Sequence, residues 1–466
     1  MSQERWSARR GPIGLALAAG AGATLTGSAY WPGLMTWDPV RQYGEALSGR
    51  IDDWHPPAMQ WLWQRLIAIA PGPAPMLLLQ LVLYWGGLTL IAAAAWRRGR
   101  PVLAAALLGC GLLPLGLALT GAILKDCLMT GALLVASGLL AWQGSGGRWR
   151  ALPALAAAAL LLFAATLRFN AFAACLPLLV ALIPVGWRHT PLRLAAAALA
   201  ATALLVAAMP LANRAIGAAP SGVELSLVIF DLGGITEHAG VSVFPKELAV
   251  ADPVRVNHGC YRPNKWDSYS DWVDPECPLG WTAWNDAVAP AGVRPYPFWI
   301  RAVLAHPFAW AAHRLHHFAI NTRLLPLPDA IERPVPVTAA PNPWGFHVTP
   351  NRLLAGIDAL AVATAHTPLG WPIVWIALAW AALVAGWNRP GAWPAVPLAL
   401  SALLYGLGYV VFSVAAELRY HLWTELAALL ALVLVLAERP ALTRRGAILA
   451  LAPVLTAILA ATILRI

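Results

Sequence analysis

Eleven apolar runs of membrane-spanning length constrain the fold of this chain more than any other feature of its sequence. Of its 466 residues, 59% are hydrophobic and 12% are charged, whereas a soluble domain carries roughly 25% charged residues. A water-soluble fold could not bury so much Leu, Ala and Val, so lipid must surround most of the chain. The pattern predicts an all-α polytopic membrane protein with about eleven transmembrane helices, near residues 12–30, 75–95, 102–119, 122–142, 151–166, 171–186, 194–212, 369–387, 393–414, 422–437 and 446–464.

The arginines between these runs predict the orientation of the chain. The formal net charge of +10 comes from residues that flank apolar runs rather than from one basic face, and no nucleic-acid motif accompanies it. Because positive residues favour the cytoplasmic side, we predict a bacterial inner-membrane protein with a cytoplasmic N-terminus and an extracytoplasmic C-terminus. The residues that share the cytoplasmic side are Arg5, Arg9, Arg10, Arg97, Arg98, Arg100, Arg148, Arg150, Arg188, Arg193, Arg389, Arg439, Arg444 and Arg445.

The composition changes in the middle of the chain. We predict an N-terminal transmembrane module of seven helices over residues 1–212, which includes a first outer loop over 31–73. A mixed extracytoplasmic domain, rich in Pro, Asp, Asn and Trp, follows over 213–365, and a module of four helices occupies 366–466. Residues 297–318 have helical spacing of aromatic and aliphatic residues, which is typical of an amphipathic helix on the membrane surface.

Cys260 and Cys277 are the only cysteines of the predicted extracytoplasmic domain. The compartment is oxidising, so we expect them to form a disulfide; a metal site is the alternative, but further ligands at the usual spacing are missing. The other three cysteines, Cys110, Cys127 and Cys175, lie in apolar runs and are expected to behave as small hydrophobic residues.

The first outer loop contains four ionisable residues that could carry chemistry: Asp38, Asp52, Asp53 and His55. Carboxylates at the membrane surface are costly to bury without a purpose. One of them could be a general base for an acceptor hydroxyl, and Asp38 with Asp53 could hold a divalent cation such as Mg²⁺ or Mn²⁺. The alternative is that Asp38 caps a helix and that Asp52 and Asp53 form a solvated turn.

Further charges interrupt apolar runs on the same predicted side. Lys125 and Asp126 begin one run, Arg168 interrupts another, and Arg419 lies with Tyr420 in a turn between two runs. Arginine suits a bidentate contact with a phosphate, so these cations could bind one. The alternative is that Lys125 and Asp126 simply lie at the membrane interface and that a nearby charge compensates Arg419.

Two other patterns are weaker. The glycines around Asp231 in DLGGITEHAG indicate a tight turn. A group of four histidines has spacing that could suit zinc, but no Glu stands in an HExxH arrangement, which favours histidines at the membrane interface. The four are His306, His313, His316 and His317.

Short strings along the chain resemble the GT-C superfamily of integral-membrane glycosyltransferases, in particular the branch of protein mannosyltransferases and the lipid A aminoarabinose transferase. The strings are TWDPVRQY and DDWHPP in the first loop, the KD of Lys125 and Asp126, the RFNA that begins at Arg168, and ELRYHLW around Arg419. The large outer domain lies in mid-chain, whereas that branch usually has one at the C-terminus.

This resemblance implies an inverting transferase that uses a polyprenyl-phosphate sugar donor on the outer face of the membrane. Asp38 then takes the position of the catalytic acid of the first loop. A glycan, a lipid or a protein is the expected acceptor. Donor or acceptor binding is assigned on the same pattern to Asp52, Asp53, His55, Lys125, Arg168, Arg419 and Tyr420.

Two other functions fit the sequence less well. A polymerase or ligase of the O-antigen type also uses a large outer loop with basic residues. A lipid-linked glycan transporter or flippase would place ionisable residues near the middle of the bilayer and often contains inverted repeats. Here the charges gather at one side and no repeat is visible, which favours an enzyme.

The predicted orientation can be tested with reporter enzymes that are active only outside the cytoplasm. Fusions at Asn342 and at the C-terminus should both be active, because the arginines place both points on the same outer side. A fusion at Arg98 should be silent and is the control. An inactive fusion at Asn342 or at the C-terminus would contradict the predicted number of spans.

Overall fold

Every regular element that the structure describes is a helix. The structure is a computed structural model, and it describes residues 2–143, 151–328 and 333–466. Within these ranges, strand-type pairing is limited to three isolated bridges: Leu34 with Ala122, Asp52 with Ala219, and Lys265 with Ala415. The described part of the chain is therefore all-helical and contains several apolar helices, which is compatible with a polytopic membrane protein. Arg148 and Arg150 lie outside the described residues.

The α-helices are α1 Ser2–Tyr30, α2 Trp37–Ser48, α3 Ala58–Ile67, α4 Ala74–Arg97, α5 Pro101–Gly109, α6 Pro114–Thr120, α7 Lys125–Gln143, α8 Ala151–Ala165, α9 Ala171–Leu182, α10 Val185–Arg188, α11 Pro191–Ile216, α12 Glu224–Ala239, α13 Pro253–Cys260, α14 Trp281–Ala283, α15 Pro295–Ala305, α16 Pro307–Asn321, α17 Arg352–Ala365, α18 Pro372–Gly386, α19 Ala395–Phe412, α20 Leu422–Leu436 and α21 Arg444–Ile463. Short 3₁₀ helices cover Cys110–Leu112, Lys246–Leu248, Asp267–Tyr269, Pro368–Gly370, Pro390–Ala392 and Leu418–His421, and a π-helical turn covers Trp284–Val288.

Seven of the described helices are long and apolar enough to cross a membrane, and an eighth span results if the bent pair Pro101–Leu112 and Pro114–Thr120 is counted as one. Three shorter apolar helices, of 10–17 residues, cover Ala151–Ala165, Ala171–Leu182 and Pro372–Gly386. A straight helix needs about 17–25 residues to cross the hydrocarbon core, so these three are marginal. The count of eleven spans stays a prediction.

The predicted mixed extracytoplasmic domain is wrong in its secondary structure. In the described part of residues 213–365, the regular elements are helices and helical turns. Proline is frequent in this stretch, and a proline has no N–H to donate to a neighbouring strand. It instead begins helices here, at Pro253, Pro295 and Pro307, where the missing donor costs nothing.

The chain forms two compact units. The first comprises Met1–Pro220, Ile331–Leu407 and Arg419–Leu459, and the second comprises Ser221–Ala330, Gly408–Leu418 and Ala460–Ile466. The second unit thus covers most of the predicted mid-chain domain, and it also includes the C-terminal ends of α19 and α21. Residues 331–365 belong to the first unit.

In the first unit, α4 and α7 pack closely along a seam of glycines. A Cβ atom added at Gly131 would lie 2.7 Å from Leu83, and one added at Gly138 would lie 2.5 Å from Leu90. Small residues allow two apolar helices to approach each other in this way. This close contact fixes the position of α7, and hence of Lys125 at its first turn.

In the second unit, the fully buried carboxylate of Asp231 faces four nitrogen atoms. Its Oδ2 accepts hydrogen bonds from the indole nitrogens of Trp299 at 2.7 Å and Trp310 at 2.9 Å. Its Oδ1 lies 2.5 Å from the Arg314 guanidinium and 3.2 Å from His313 Nε2. Burial acts to raise the pKa of Asp231, but Arg314 and His313 lower it to about 2. The charged carboxylate therefore joins α12, α15 and α16.

This core corrects two expectations. The glycines beside Asp231 lie inside α12 rather than in a turn, because neighbouring rings need the space: a Cβ at Gly233 would lie 2.2 Å from the Tyr269 hydroxyl, and one at Gly234 would lie 2.1 Å from the His313 ring. His313 and His317 are fully buried here and are not interface residues. Burial lowers the pKa of both, that of His317 to about 3.

Cys260 and Cys277 are joined by a disulfide in the second unit, with their Cα atoms 5.9 Å apart and 17 residues of separation in sequence. Cys110, Cys127 and Cys175 are free and buried. We expect a Cys260→Ser/Cys277→Ser protein to lose about 3 kcal/mol of unfolding free energy, because a crosslink of this loop length restricts the unfolded chain. Thermal unfolding measures the loss, with Cys110→Ala as a control. Two free thiols in non-reduced peptide maps of the parent would contradict the pairing.

Candidate active site

The loop over residues 31–73 contains two short helices, α2 and α3, and Asp38 lies at the beginning of α2. Gly72 N–H donates to the Tyr43 hydroxyl at 2.9 Å, and Trp63 donates its indole N–H to the Gly72 carbonyl at 3.3 Å. The two aromatic rings lie 5.2 Å apart between α2 and α3. Asp38 lies in the first turn of α2, where the helix dipole favours a negative charge.

Three side chains from distant parts of the first unit surround the Asp38 carboxylate. Its Oδ2 lies 2.9 Å from the Arg419 guanidinium and 3.4 Å from Lys125 Nζ, and its Oδ1 lies 3.8 Å from His55 Nε2. The side chain of Asp38 is 25% exposed, and those of Lys125, His55 and Arg419 are 11–12% exposed. A partly buried carboxylate therefore lies against two cations and an imidazole. We call these four residues the Asp38 cluster.

The charges in the Asp38 cluster determine its protonation. Burial acts to raise the pKa of Asp38, but the charges of Arg419 and Lys125 hold it well below its usual range. Burial, followed by the charge of Lys125, lowers the pKa of His55. At neutral pH we therefore expect a charged carboxylate and a neutral imidazole. Lys125 Nζ lies 3.0 Å from His55 Nδ1, so the lysine donates there and the imidazole proton resides on Nε2, which faces Asp38.

A second ion pair lies next to the Asp38 cluster. Arg168 forms a salt bridge with Asp126, the residue that follows Lys125, and Asp126 is almost fully buried. The Arg168 guanidinium also lies 4.2 Å from the centre of the Tyr420 ring, and the Arg419 guanidinium lies 5.6 Å from it. Tyr420 therefore connects the two groups of charges through cation–π contacts.

The six ionisable residues of the two groups leave an excess of positive charge. Lys125, Arg168 and Arg419 carry three positive charges, Asp38 and Asp126 carry two negative charges, and His55 is neutral, so the net charge is 3 − 2 = +1. Within the described residues, the Oδ2 atom of Asp126 has no hydrogen-bond donor. The arrangement can attract an anion, and the partly exposed Asp38 offers a carboxylate oxygen to a hydroxyl group.

The predicted site residues divide into two sets. Asp38, His55, Lys125 and Arg419 lie together, with Arg168 and Tyr420 beside them. Asp52 instead binds Arg41 at 2.7 Å and accepts a hydrogen bond from Trp54 N–H at 2.9 Å. The backbone N–H of Asp53 donates to the Ala219 carbonyl at 3.0 Å.

The interpretation of Asp38 as a helix cap does not describe its main contacts. Thr36 occupies the cap position of α2, and the Asp38 carboxylate contacts cations of other segments. Asp126 is the site residue that the sequence-based assignment omitted. Its signal was an acid beside Lys125 with Arg168 in a neighbouring apolar run, which is the pattern of a buried pair.

The fit of a divalent cation can be judged from the donor atoms. Asp38 supplies one carboxylate and is already contacted by two cationic side chains, whereas Mg²⁺ needs several oxygen ligands. Within the described parts of the chain, no three His, Cys, Asp or Glu side chains are grouped as metal ligands. Asp38 and Asp53 as metal ligands stay a prediction.

Comparison with known proteins adds no relative: no family model, no curated protein and no solved structure matches this chain.

The Asp38–Arg419 contact can be tested as an energetic coupling. Asp38→Asn and Arg419→Gln should each destabilise the protein because each leaves a partner charge partly buried, while the double variant should lose less than the sum. We expect a coupling of roughly 0.5–3 kcal/mol from thermal unfolding of the four proteins. Arg100, which pairs with Glu438, provides the matched control: Arg100→Gln should be additive with Asp38→Asn. Additivity of the Asp38 and Arg419 variants would argue against the contact.

Proposed function

We propose that this protein is a membrane glycosyltransferase of the GT-C type that transfers a sugar from a polyprenyl-phosphate donor to an acceptor hydroxyl. The observation that carries the proposal is the convergence of one carboxylate, Asp38, with Lys125 and Arg419 next to Arg168 and Tyr420. These residues come from the first loop and from the beginnings of apolar helices or the turns between them, which is where a lipid headgroup and a water-borne acceptor can meet.

The donor phosphate would bind the cations of the Asp38 cluster. Arg419 can form two parallel hydrogen bonds with a phosphate, and Lys125 adds a compact charge. The net charge of +1 among the six ionisable residues favours an anion over a neutral sugar alone. As the lipid phosphate leaves, these same cations would stabilise the charge that develops on it.

The sugar would lie beside the phosphate. The Tyr420 ring can pack on a face of the sugar. Arg168 forms a salt bridge with Asp126 and so holds its side chain in place.

Transfer is proposed as a single displacement. The acceptor oxygen attacks the anomeric carbon, and its proton passes to the Asp38 carboxylate. The bond between that carbon and the phosphate oxygen breaks, and the electron pair leaves with the lipid phosphate, so the anomeric configuration inverts. A general base of this kind typically contributes ~10²–10⁴ in rate.

Donor binding would also make the Asp38 carboxylate a stronger base. In the free protein Arg419 and Lys125 hold the pKa of Asp38 well below its usual range, which makes the carboxylate a weak base. A phosphate that binds these cations neutralises part of their charge and raises the pKa of Asp38 toward its ordinary value. The neutral His55, with its Nε2 proton facing Asp38, can orient the carboxylate. The proposed reaction takes place on the outer face of a bacterial inner membrane, where the arginine pattern places the first loop.

The proposal predicts a graded loss of transfer in membranes supplied with a polyprenyl-phosphate sugar donor. Asp38→Asn should reduce the rate by ~10²–10⁴, because it keeps the size of the side chain but removes its charge and basicity. Arg419→Ala should weaken donor binding more than Arg419→Lys, which keeps the charge but not the planar fork. The measurement is radiolabelled sugar transfer at several donor concentrations, with each variant checked for normal abundance.

Asp52→Asn is the matched control, because Asp52 is an acid of the same loop that pairs with Arg41 instead. It should transfer at close to the parent rate. An Asp38→Asn protein that is folded and as active as the parent would remove Asp38 from the mechanism. Movement of an intact lipid-linked glycan across the membrane without cleavage of the sugar–phosphate bond would support the transporter instead.

A further inference from the structure

A row of exposed apolar side chains runs along one side of α15 in the second unit, and further exposed apolar residues lie on α16 after the break at His306. Tyr296, Ile300 and Leu304 recur at four-residue spacing on α15, and Phe308 and Leu315 follow on α16. Leu304 is 74% exposed and Phe308 is 89% exposed. Large apolar residues that are exposed as a contiguous row, rather than singly, mark a surface that meets a partner or a membrane.

The helix α16 contacts the ends of two candidate membrane spans. Arg314 donates to the Ser413 carbonyl at 2.6 Å, and Ser413 directly follows the apolar helix Ala395–Phe412. Arg465 donates to the Arg323 carbonyl at 2.6 Å just after the apolar helix Arg444–Ile463 ends. Two candidate membrane spans thus end against α16 and the turn that follows it. A helix held at this level, with exposed apolar residues, can lie in the membrane interface.

A basic cleft of about 470 Å³ lies against α15, the helix that carries the apolar row. On α15 it is lined by Phe298 and by Arg301, and Arg294 lies at the start of the helix. Arg301 lies three residues before Leu304 and therefore on the neighbouring side of the helix. Lys246 and Glu247 close the cleft from the opposite side. With one acid against three cations, the net charge of the lining is 3 − 1 = +2. Within the described residues, no hydrogen bond or ion pair engages the side chains of Lys246, Arg294 and Arg301.

We propose that this basic cleft binds the phosphate headgroup of an anionic phospholipid while the apolar row lies in the acyl region of the same leaflet. Phosphate oxygens match the two guanidinium groups, and Phe298 and Phe244 provide apolar contact with the glycerol backbone. Juxtaposed basic and apolar side chains are what recognition of an anionic lipid requires. The cleft uses none of the residues of the Asp38 cluster, so it is a separate site.

Retention of lipids during purification tests whether the cleft prefers an anionic headgroup. The full-length protein is purified in detergent with an equal mixture of phosphatidylglycerol and phosphatidylcholine, and bound lipids are counted by native mass spectrometry. The parent should retain phosphatidylglycerol in preference, and Arg294→Gln/Arg301→Gln should reduce that preference about tenfold or more, because each arginine near an anionic surface contributes about fivefold. Arg255→Gln is the matched control, since Arg255 is an exposed arginine of the same unit that pairs with Asp252.

Added inorganic phosphate distinguishes a lipid from a soluble ligand. The lipid assignment would be overturned if millimolar phosphate displaced phosphatidylglycerol from the parent while the double variant still bound phosphatidylglycerol. Equal retention of the two lipids by the parent would also overturn it. Retention that survives phosphate and is lost in the double variant supports the proposal.

The depth of the apolar row provides a second measurement that does not depend on the arginines. A nitroxide on Leu304→Cys in nanodiscs should be relaxed more by oxygen than by a water-soluble nickel complex, and a nitroxide on Arg255→Cys should show the reverse. Relaxation of the Leu304 label mainly by the nickel complex would place the row in water and overturn the proposal.

Discussion

The partial burial of one negative charge organises the candidate active site. A carboxylate that is removed from water must be paired, and Asp38 is paired with cations from two remote segments, Lys125 and Arg419. The helix α2 that carries Asp38, the first turn of α7 and the turn before α20 therefore have to meet at one point. Apolar contacts between helices could form in several registers. The ion pairs of Asp38 with Lys125 and Arg419 can form in only a few of them.

The sequence predicted one set of site residues from the first loop and the apolar runs, and the structure brings only part of that set together. Asp38, Lys125 and Arg419 were predicted because charges at the ends of apolar runs are rare and costly. The roles of Asp52 and Asp53 could not be separated from that of Asp38, because three aspartates of one loop have the same side chain. The separation follows from Arg41, which binds Asp52 from the neighbouring turn of α2. Only the fold reveals that preference.

The second unit was harder to predict for a different reason. Two adjacent glycines beside an acid are typical of a turn, yet Gly233 and Gly234 lie within α12 because Tyr269 and His313 pack where their side chains would be. Likewise, His313 and His317 have the spacing of surface residues on an amphipathic helix, but the surroundings of Asp231 bury them. Such packing depends on partners distant in the sequence, and helical periodicity carries no information about them. The helix over 297–318 was predicted, but the break at His306 was not.

Lys125 and Asp126 are neighbours in sequence, yet their partners lie in different directions. Successive residues of an α-helix point about 100° apart, so Lys125 can reach Asp38 while Asp126 reaches Arg168. The two pairs therefore act together as a rotational lock on α7: a turn of this helix about its own axis would stretch both at once. A ligand that takes Lys125 away from Asp38 would release one half of the lock and leave the other half closed. The orientation of α7 about its own axis would in this way depend on whether a ligand is bound at the Asp38 cluster.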